Sequence, residues 1–526
     1  MRVLPVNTDS FLIELPTLDD TLALYDTLRA AELPGIEELV PAARTVLVHF
    51  VPWLTDRATL IQAIAALPVI AGMARDVQQI RVPVRYDGED LPQLAQALGI
   101  SVAQLIEHHQ SARWKVAFTG FAPGFAYMVS SDWRWQVPRR ATPRTRIPAG
   151  SLALAGEFSG IYPQASPGGW QLIGTTDEPM WDLTRQPPAL LQPGAEVQFV
   201  SAEKTRIISL PAAPVATPSA AAAMTVLTPG LQTSWQDGGR RGQATMGVSE
   251  SGAMDKRAWR QVNRLVGNPP ENPALEITCG GFQARAGGDL VAAVTGAPCA
   301  LTLQVGDTQY PLAMNTPFAM QAGDVLRMGT ASHGVRSYLA LRGLRGGDSV
   351  LASASFDTLA QVGPAPLKAG DTLSVSADAT LTAVEPAETT CTLPTAGDTV
   401  TIDIVAGPRS DWFTADALAL LTSQPWEVTP QSNRIGLRLN GAQPLTRSQT
   451  QELPSEGTCI GAIQVPASGQ PVLFLNDHPL TGGYPVIAAV APHHLDLAGQ
   501  IPPGCRLRFS LISSFTVLLE SPHHDQ

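Results

Sequence analysis

From Thr119 to Gly174, glycine and proline recur too densely for any helix to continue. The stretch holds G-F-A-P-G-F-A-Y (120–127), P-R-R-A-T-P-R-T-R-I-P-A-G-S (138–151) and G-I-Y-P-Q-A-S-P-G-G-W (160–170). Proline removes an N–H and fixes φ, glycine opens left-handed turns, and the aromatic and β-branched residues between them favour short strands. A loop-decorated β structure is predicted. Phe121, Phe125, Tyr127, Tyr162 and Trp170 lie beside Arg139, Arg140, Arg144 and Arg146. Apolar walls, guanidinium forks and glycine-freed amides suit a planar, anionic or amide-bearing small molecule. A barrel plugged by those aromatics, with solvated arginines, is the competing reading.

A chain of 526 residues exceeds what one core organises, so several domains are expected. Only 15% of residues are charged while glycine and proline number 45 each, a profile of turn-rich β protein. The net charge of -11 argues against nucleic acid or an anionic membrane as partner. Cys279, Cys299, Cys391, Cys459 and Cys505 are widely spaced and form no C-x-x-C pair, which fits free thiols in a reducing compartment. Met1 to Leu15 lacks the pattern of a signal peptide, and the apolar window Ala58 to Ala74 is too short to span a bilayer. A cytoplasmic protein is expected.

The order of elements predicts a mainly β fold with a small α/β N-terminal subdomain. Ser10–Leu15 and Arg44–Phe50 read as strands, and Leu18–Ala31 and Ala58–Ala65 as amphipathic helices. Gln79–Val84 reads as a strand, Asp90–Leu98 and Val102–Gln110 as short helices, and Trp114–Phe118 as the strand entering the glycine-rich stretch. The predicted units are 1–85, 86–208, a linker at 209–224, 225–378 and 399–516. The linker rests on P-A-A-P-V-A-T-P-S-A-A-A-A-M (211–224), which has no periodicity; a second composition dip covers 376–398. Gly194, Gly323, Gly370 and Gly504 each stand three residues before an apolar strand position, a turn that launches a strand.

Farther along come T-P-G-L-Q-T-S-W-Q-D-G-G-R-R-G (228–242), G-V-S-E-S-G-A-M-D (247–255) and a helix, Lys256–Val266, stopped by Gly267-Asn268-Pro269. Asp237-Gly238-Gly239-Arg240 presents amides beside a guanidinium and suits an anion, though a tight turn without ligand is as easily built. The final piece carries Q-S-N-R-I-G-L-R-L (431–439), S-E-G-T-C-I-G-A-I-Q-V-P (455–466) and L-N-D-H-P-L-T-G-G-Y-P (475–485). Asn433, Arg434 and Asp477 interrupt apolar strand patterns, and buried polar groups require partners or a ligand.

These runs resemble two families. The first part is similar to the B-subunit family of 5-oxoprolinase, also described as KipI or allophanate hydrolase subunit 1. Its match rests on G-F-A-P-G-F-A-Y-M, P-R-R-x-x-P-R-T-x-I-P-A-G-S and G-I-Y-P-x-x-S-P-G-G-W. The second part resembles the C-subunit family of the same enzyme, known also as KipA, allophanate hydrolase subunit 2 or the biotin-dependent carboxyltransferase domain. There the match rests on Q-D-G-G-R-x-G, G-x-x-x-S-G-A-M-D, S-E-G-x-x-x-G-A-I-Q-V-P and T-G-G-Y-P. Together the motifs span nearly the whole chain in the order of a B and C fusion.

The resemblance implies several cyclophilin-like β barrels and a component of ATP-dependent 5-oxoprolinase, opening 5-oxo-L-proline to L-glutamate with a separate partner of the 5-oxoprolinase A-subunit type. It implies ATP, with Mg, as cofactor. The alternatives are a carboxyltransferase acting on urea or a related amide, with biotin, and a regulatory module for a histidine kinase. A homo-oligomer is compatible with either. Expected catalytic groups are Asp477, Arg434, Asp237 and Arg240. Expected substrate-binding residues are Gly124, Phe125, Tyr127, Arg144, Ser166, Gly168, Gly169, Asn433, Gly482, Gly483 and Tyr484. Two departures bear on specificity: the usual S-D-R-M-G is Ser432-Asn433-Arg434-Ile435-Gly436, and the usual D-x-Q-T-T-G-G-Y-P loses Gln and Thr at Pro479 and Leu480. The segment Leu344–Gly363 is a weak version of the family's glycine- and serine-rich run. No G-x-x-x-x-G-K-[ST] loop and no M-K-M biotinylation run occurs. The adjacent pairs His108-His109, His493-His494 and His523-His524 lack i, i+4 spacing, so no metal site is expected. Cys459 reads as a core thiol rather than a nucleophile.

Overall fold

The computed structural model describes residues 1–69, 78–140, 142, 144–202, 222–376, 380–389 and 392–520. The predicted linker up to residue 221, Cys391 and the His523-His524 pair lie outside the described residues. The fold is mainly β with a small α/β N-terminal subdomain, and its sheets form closed and nearly closed barrels. Among the described residues no helix is long and apolar enough to cross a membrane.

The N-terminal sheet runs in the order 36–41, 45–50, 10–14, 2–7, with the C-terminal strand 519–520 completing its edge. Helix Leu18–Ala31 begins at Thr17, whose hydroxyl accepts the Asp20 N–H at 3.1 Å, and it buries Leu24, Tyr25 and Leu28 on this sheet. A seven-stranded sheet follows, in the order 171–175, 151–155, 158–161, 126–129, 114–119, 196–201, 79–84. The strand Gln79–Val84, grouped by sequence with residues 1–85, therefore belongs to this second sheet. It pairs in parallel with Glu196–Ser201 because Ile80, Val82 and Val84 form one apolar face of the second core.

The next unit packs two sheets, 308–312/299–305/325–331/282–286/224–229/372–373 and 232–236/274–278/336–341/290–296/318–320. Met224, assigned by sequence to the linker, already pairs with Ala286. A closed barrel of seven strands, 399–406, 486–490, 462–464, 472–474, 436–440, 426–428 and 506–513, completes the chain. The strand-launching turns take one form. Gly194, Gly323, Gly370 and Gly504 have φ of 92°, 95°, 93° and 87°, left-handed values that favour glycine, and strands start two residues later at 196, 325, 372 and 506. Gly397, at φ 97°, launches the strand at 399 in the same way and escaped the sequence reading.

The units share cores. Leu4, Val6, Leu12, Val40 and Leu47 of the N-terminal sheet pack with Ala244, Cys459, Ala462, Phe474, Leu480 and Val486 from the C-terminal units. This junction positions the site.

Candidate functional site

Two loops of the third unit, 237–242 and 249–253, run side by side, tied by Arg240 N–H to Glu250 O at 2.7 Å and Ala253 N–H to Asp237 O at 2.9 Å. Consecutive residues on such a ribbon face opposite ways. Arg240 and Ser251 are buried inward, whereas Arg241 and Glu250 line a cleft. The barrel segment 476–480 behaves alike: Asp477 is fully buried, and His478 and Leu480 line the cleft.

The inward groups form a closed ionic network. Arg434 donates Nε to Asp477 Oδ2 at 2.9 Å and Nη2 to Asp477 Oδ1 at 3.0 Å and Gly252 O at 2.8 Å, and its Nη1 bonds Glu276. Asp477 also accepts Ser251 Oγ at 2.7 Å, with Thr358 N–H at 2.8 Å and Oγ1 at 2.7 Å. Burial opposes its charge, but the Arg434 guanidinium and these donors hold its pKa below the ordinary value. Asp357 lies the other way: burial and the Asp477 charge push it up to about 7, although Ser249 Oγ and the Leu359 and Ala360 amides donate to it.

This placement locates the expected catalytic set inside the protein's own hydrogen-bond network. Every nitrogen of the Arg434 guanidinium is engaged within the protein, and Asp477 is sealed away from any proton it was expected to manage. Asp237 staples its own unit, accepting Gly239 N–H, Ser353 Oγ, Ser355 Oγ and Ala354 N–H at 2.9, 2.6, 2.6 and 2.7 Å. Arg240 is buried against the Ser355 carbonyl. Asn433 is exposed and accepts the Ile435 N–H at 2.8 Å, a turn that needs an acceptor oxygen rather than a charge.

The expected N-terminal set falls elsewhere. Phe125 and Tyr127 are buried in an aromatic cluster, with Phe125 edge-on to Tyr127, Tyr162 and Trp170 at 5.1, 5.3 and 5.4 Å. The competing reading, that the aromatics are core, describes them. Gly124, at φ 75°, donates to Met246 O at 2.9 Å across the junction. Arg144 grips Asp90 with Nη1 and Nη2 at 3.0 and 2.8 Å and Glu89 with Nε at 2.7 Å, so its fork is filled by the protein's own carboxylates. Ser166 and Gly168 sit on a ribbon paired with 144–147, and the Gly169 carbonyl accepts the Arg140 amide at 2.8 Å.

Gly482 and Gly483 belong to the seam between the halves. A Cβ on Gly482 would lie 2.5 Å from Gln464 Nε2, and Gly483 faces the Arg139 guanidinium. Tyr484 is half exposed under Arg447, 5.8 Å from its ring centre. Nearby, Thr481 Oγ1 accepts the Phe121 N–H at 3.1 Å and bonds the Tyr127 hydroxyl.

The cleft itself is built by three units and holds about 130 Å³. The N-terminal sheet supplies Asp9, Glu37, Glu38 and His49; the third unit supplies Arg241, Glu250 and Lys256; the barrel supplies Cys459, His478 and Leu480. Lys256 Nζ and Arg241 Nε converge on Glu250 Oε1 at 2.9 and 3.2 Å, and Arg241 Nη1 pairs with Glu37 across the junction. Despite burial, those two cations hold the Glu250 pKa down. Burial raises Glu38, which accepts the Ala244 amide at 3.0 Å, so its protonated form is favoured more than in water. Burial also pushes His478 down to about 4 and Cys459 up to about 12, leaving a neutral imidazole and an unreactive thiol. None of these cleft residues was singled out by sequence as a ligand group. The available signal was that several sit one residue from a motif position: Arg241 beside Arg240, Glu250 beside Ser251, His478 beside Asp477.

One histidine pair gathers a carboxylate: His493 and His494 flank Asp403. His494 Nδ1 accepts the Asp403 N–H at 2.9 Å, which places its proton on Nε2 and leaves no lone pair for a cation. His109 is buried between Tyr86 and Ser159 at 2.9 and 3.0 Å.

Packed barrels with a polar cleft where the two parts meet define a multi-unit β protein. The chain belongs to the carboxyltransferase-domain family: the model for subdomains A and B matches residues 246–511, and that for subdomains C and D matches 1–191. It is 36% identical to the C subunit of 5-oxoprolinase from Escherichia coli K12 over 54% of this chain and 89% of that protein. It is also 36% identical to the B subunit of 5-oxoprolinase from Escherichia coli O157:H7 over 33% of this chain and 81% of that protein. Those two matches are consistent with a fused B and C protein. The urea amidolyase of Lachancea kluyveri is 33% identical over 55% of this chain but only 17% of its own length. The crystal structure of TTHA0988 superposes with a TM-score of 0.81 at 33% identity, covering 95% of this chain and 99% of that one.

Proposed function

We propose that this chain is the combined B and C component of an ATP-dependent 5-oxoprolinase, holding 5-oxo-L-proline in the junction cleft while a separate protein of the A-subunit type carries the nucleotide step. One observation carries the reading: both family parts are needed to build the cleft, and it is lined by paired cations, a carboxyl biased toward its acid form and a neutral imidazole. A lactam resists opening because resonance ties up its nitrogen. Arg241 and Lys256 place positive charge where the ligand's oxygens bind, and Glu38 holds a proton for the departing nitrogen as water adds to the carbonyl carbon and the C–N bond breaks.

The nucleotide, ATP with Mg, is assigned in this reading to the separate A-type partner. Among the described residues the cleft shows no glycine-rich phosphate cradle, and its cations are paired with Glu37 and Glu250. The second reading, a carboxyltransferase for urea or a related neutral amide, is favoured by a different feature: Asp9, Glu37, Glu38 and Glu250 outnumber Arg241 and Lys256. Purified chain, a homologue of the 5-oxoprolinase A subunit, ATP and 5-oxo-L-proline should together release glutamate. Absence of glutamate together with urea-dependent consumption of carboxybiotin replaces the first reading with the second.

A further inference from the structure

The cleft is bounded by a second, outer cleft of about 430 Å³ between helix Leu18–Ala31, strand Ile36–Pro41 and residues 242–245. Glu37 and Glu38 line both spaces, and Arg241 reaches across to Glu37 at that divide. Arg241 differs from the other arginines near the site. Arg240, Arg336 and Arg434 are buried, Arg434 with every nitrogen engaged, whereas the Arg241 side chain is 51% exposed and Glu37 is 31% exposed. Its Nη1 and Nε are engaged by Glu37 and Glu250, and its Nη2 has no hydrogen-bond partner among the described residues. A pair this open to water exchanges partners at little cost, while a carboxylate gripped by two guanidinium N–H groups is strongly oriented.

We infer that Arg241 is the specificity-determining residue of the cleft, releasing Glu37 to take the carboxylate of an anionic lactam. This rests on the reading of the cleft as a lactam site. Lys256, beside it on Glu250, adds positive charge at the same end; Leu480 and the neutral His478 and Cys459 give the ring a less polar floor. The ligand class is a small lactam bearing one carboxylate, oriented with the carboxylate toward the divide.

The test uses the full chain and two probes, 5-oxo-L-proline and 2-pyrrolidinone, the same ring without the carboxylate, in titration calorimetry. The wild type is expected to prefer the acid, Arg241→Gln to lose roughly tenfold of that preference, and Glu37→Gln to increase it by removing the competing carboxylate. Unchanged preference in Arg241→Gln, or a weaker preference in Glu37→Gln, overturns the inference and leaves the lactam site standing. Wild-type chain that binds neither probe overturns the lactam reading and the inference with it. Should Arg241→Gln melt early, the Glu37→Gln arm decides, because Arg241 remains in place.

Discussion

Arg434 and Arg241 are both arginines held by carboxylates, and they lie in two regions that meet. Around Arg434 the side chains of Arg434, Asp477 and Glu276 are 3%, 0% and 1% exposed, every charge is paired, and two units are joined. Around Arg241 the side chains of Arg241, Glu37 and Glu250 are 51%, 31% and 20% exposed, and the pairs span the N-terminal sheet and the third unit. A buried ion pair is intolerant of losing a partner, because the remaining charge has nowhere to go, whereas an exposed pair is worth little and is free to exchange. Within these runs Arg434 and Asp477 are therefore built into the architecture, while Arg241 and Glu250 face the accessible cleft.

The contrast is broken most severely by Arg434→Ala. Asp477 and Glu276 would remain buried without their shared cation, a loss of about 3–5 kcal/mol. The expected outcome is a large fall in thermal midpoint. Full retention of the midpoint with loss of ligand binding would move Arg434 back from architecture to chemistry.

A smaller effect, readable through pH, comes from Asp357. Its pKa near 7 in the fold stands above the ordinary value of 3.8, so the native state holds its proton more tightly than the unfolded chain does. Its stabilising contribution is complete below about pH 4 and is lost as pH rises through 7. Asp357→Asn removes that dependence, and its unfolding free energy relative to wild type should rise between pH 5 and pH 8 by an amount on the order of 2 kcal/mol. A difference that stays flat over this window would show that Asp357 does not carry a proton in the fold.

Much of the fold was legible because its signals are local. Helix Leu18–Ala31 and strand Gln79–Val84 have the predicted bounds, and Lys256–Leu265 ends where Gly267 turns at φ 73°. What was not legible is long-range. Nothing near Gln79 announces its parallel partner at Glu196, and nothing near Leu519 announces Val3. The site suffered for the same reason. Glycine-rich motifs with an embedded charge look identical whether the charge faces a ligand or, as with Asp477 and Ser251, another loop more than two hundred residues away. The cleft residues Glu37, Glu38 and Lys256 carry no motif at all and become neighbours only when three units pack.

Thr481 tests the seam between these regions. Its hydroxyl serves the Phe121 amide and the Tyr127 phenol, so Thr481→Ala leaves a partly buried N–H without its acceptor at a cost of about 1 kcal/mol. Because Phe121 belongs to the first part and Thr481 to the last barrel, the loss should appear as easier separation of the parts in denaturant titration, followed by tryptophan fluorescence. An unchanged transition would mean that the apolar junction alone holds the seam.

The smallest expected change sharpens the comparison from the other side. Arg241→Gln removes contacts to Glu37 and Glu250 that are as numerous as those of many structural arginines, yet its side chain is half exposed and Lys256 still neutralises Glu250. Screened pairs of this kind contribute under about 1 kcal/mol, and less as salt is raised. The thermal midpoint should therefore move little at low salt and not at all at high salt. A large, salt-independent fall would mean that Arg241 clamps the N-terminal sheet to the third unit, and that the two regions differ in exposure without differing in role.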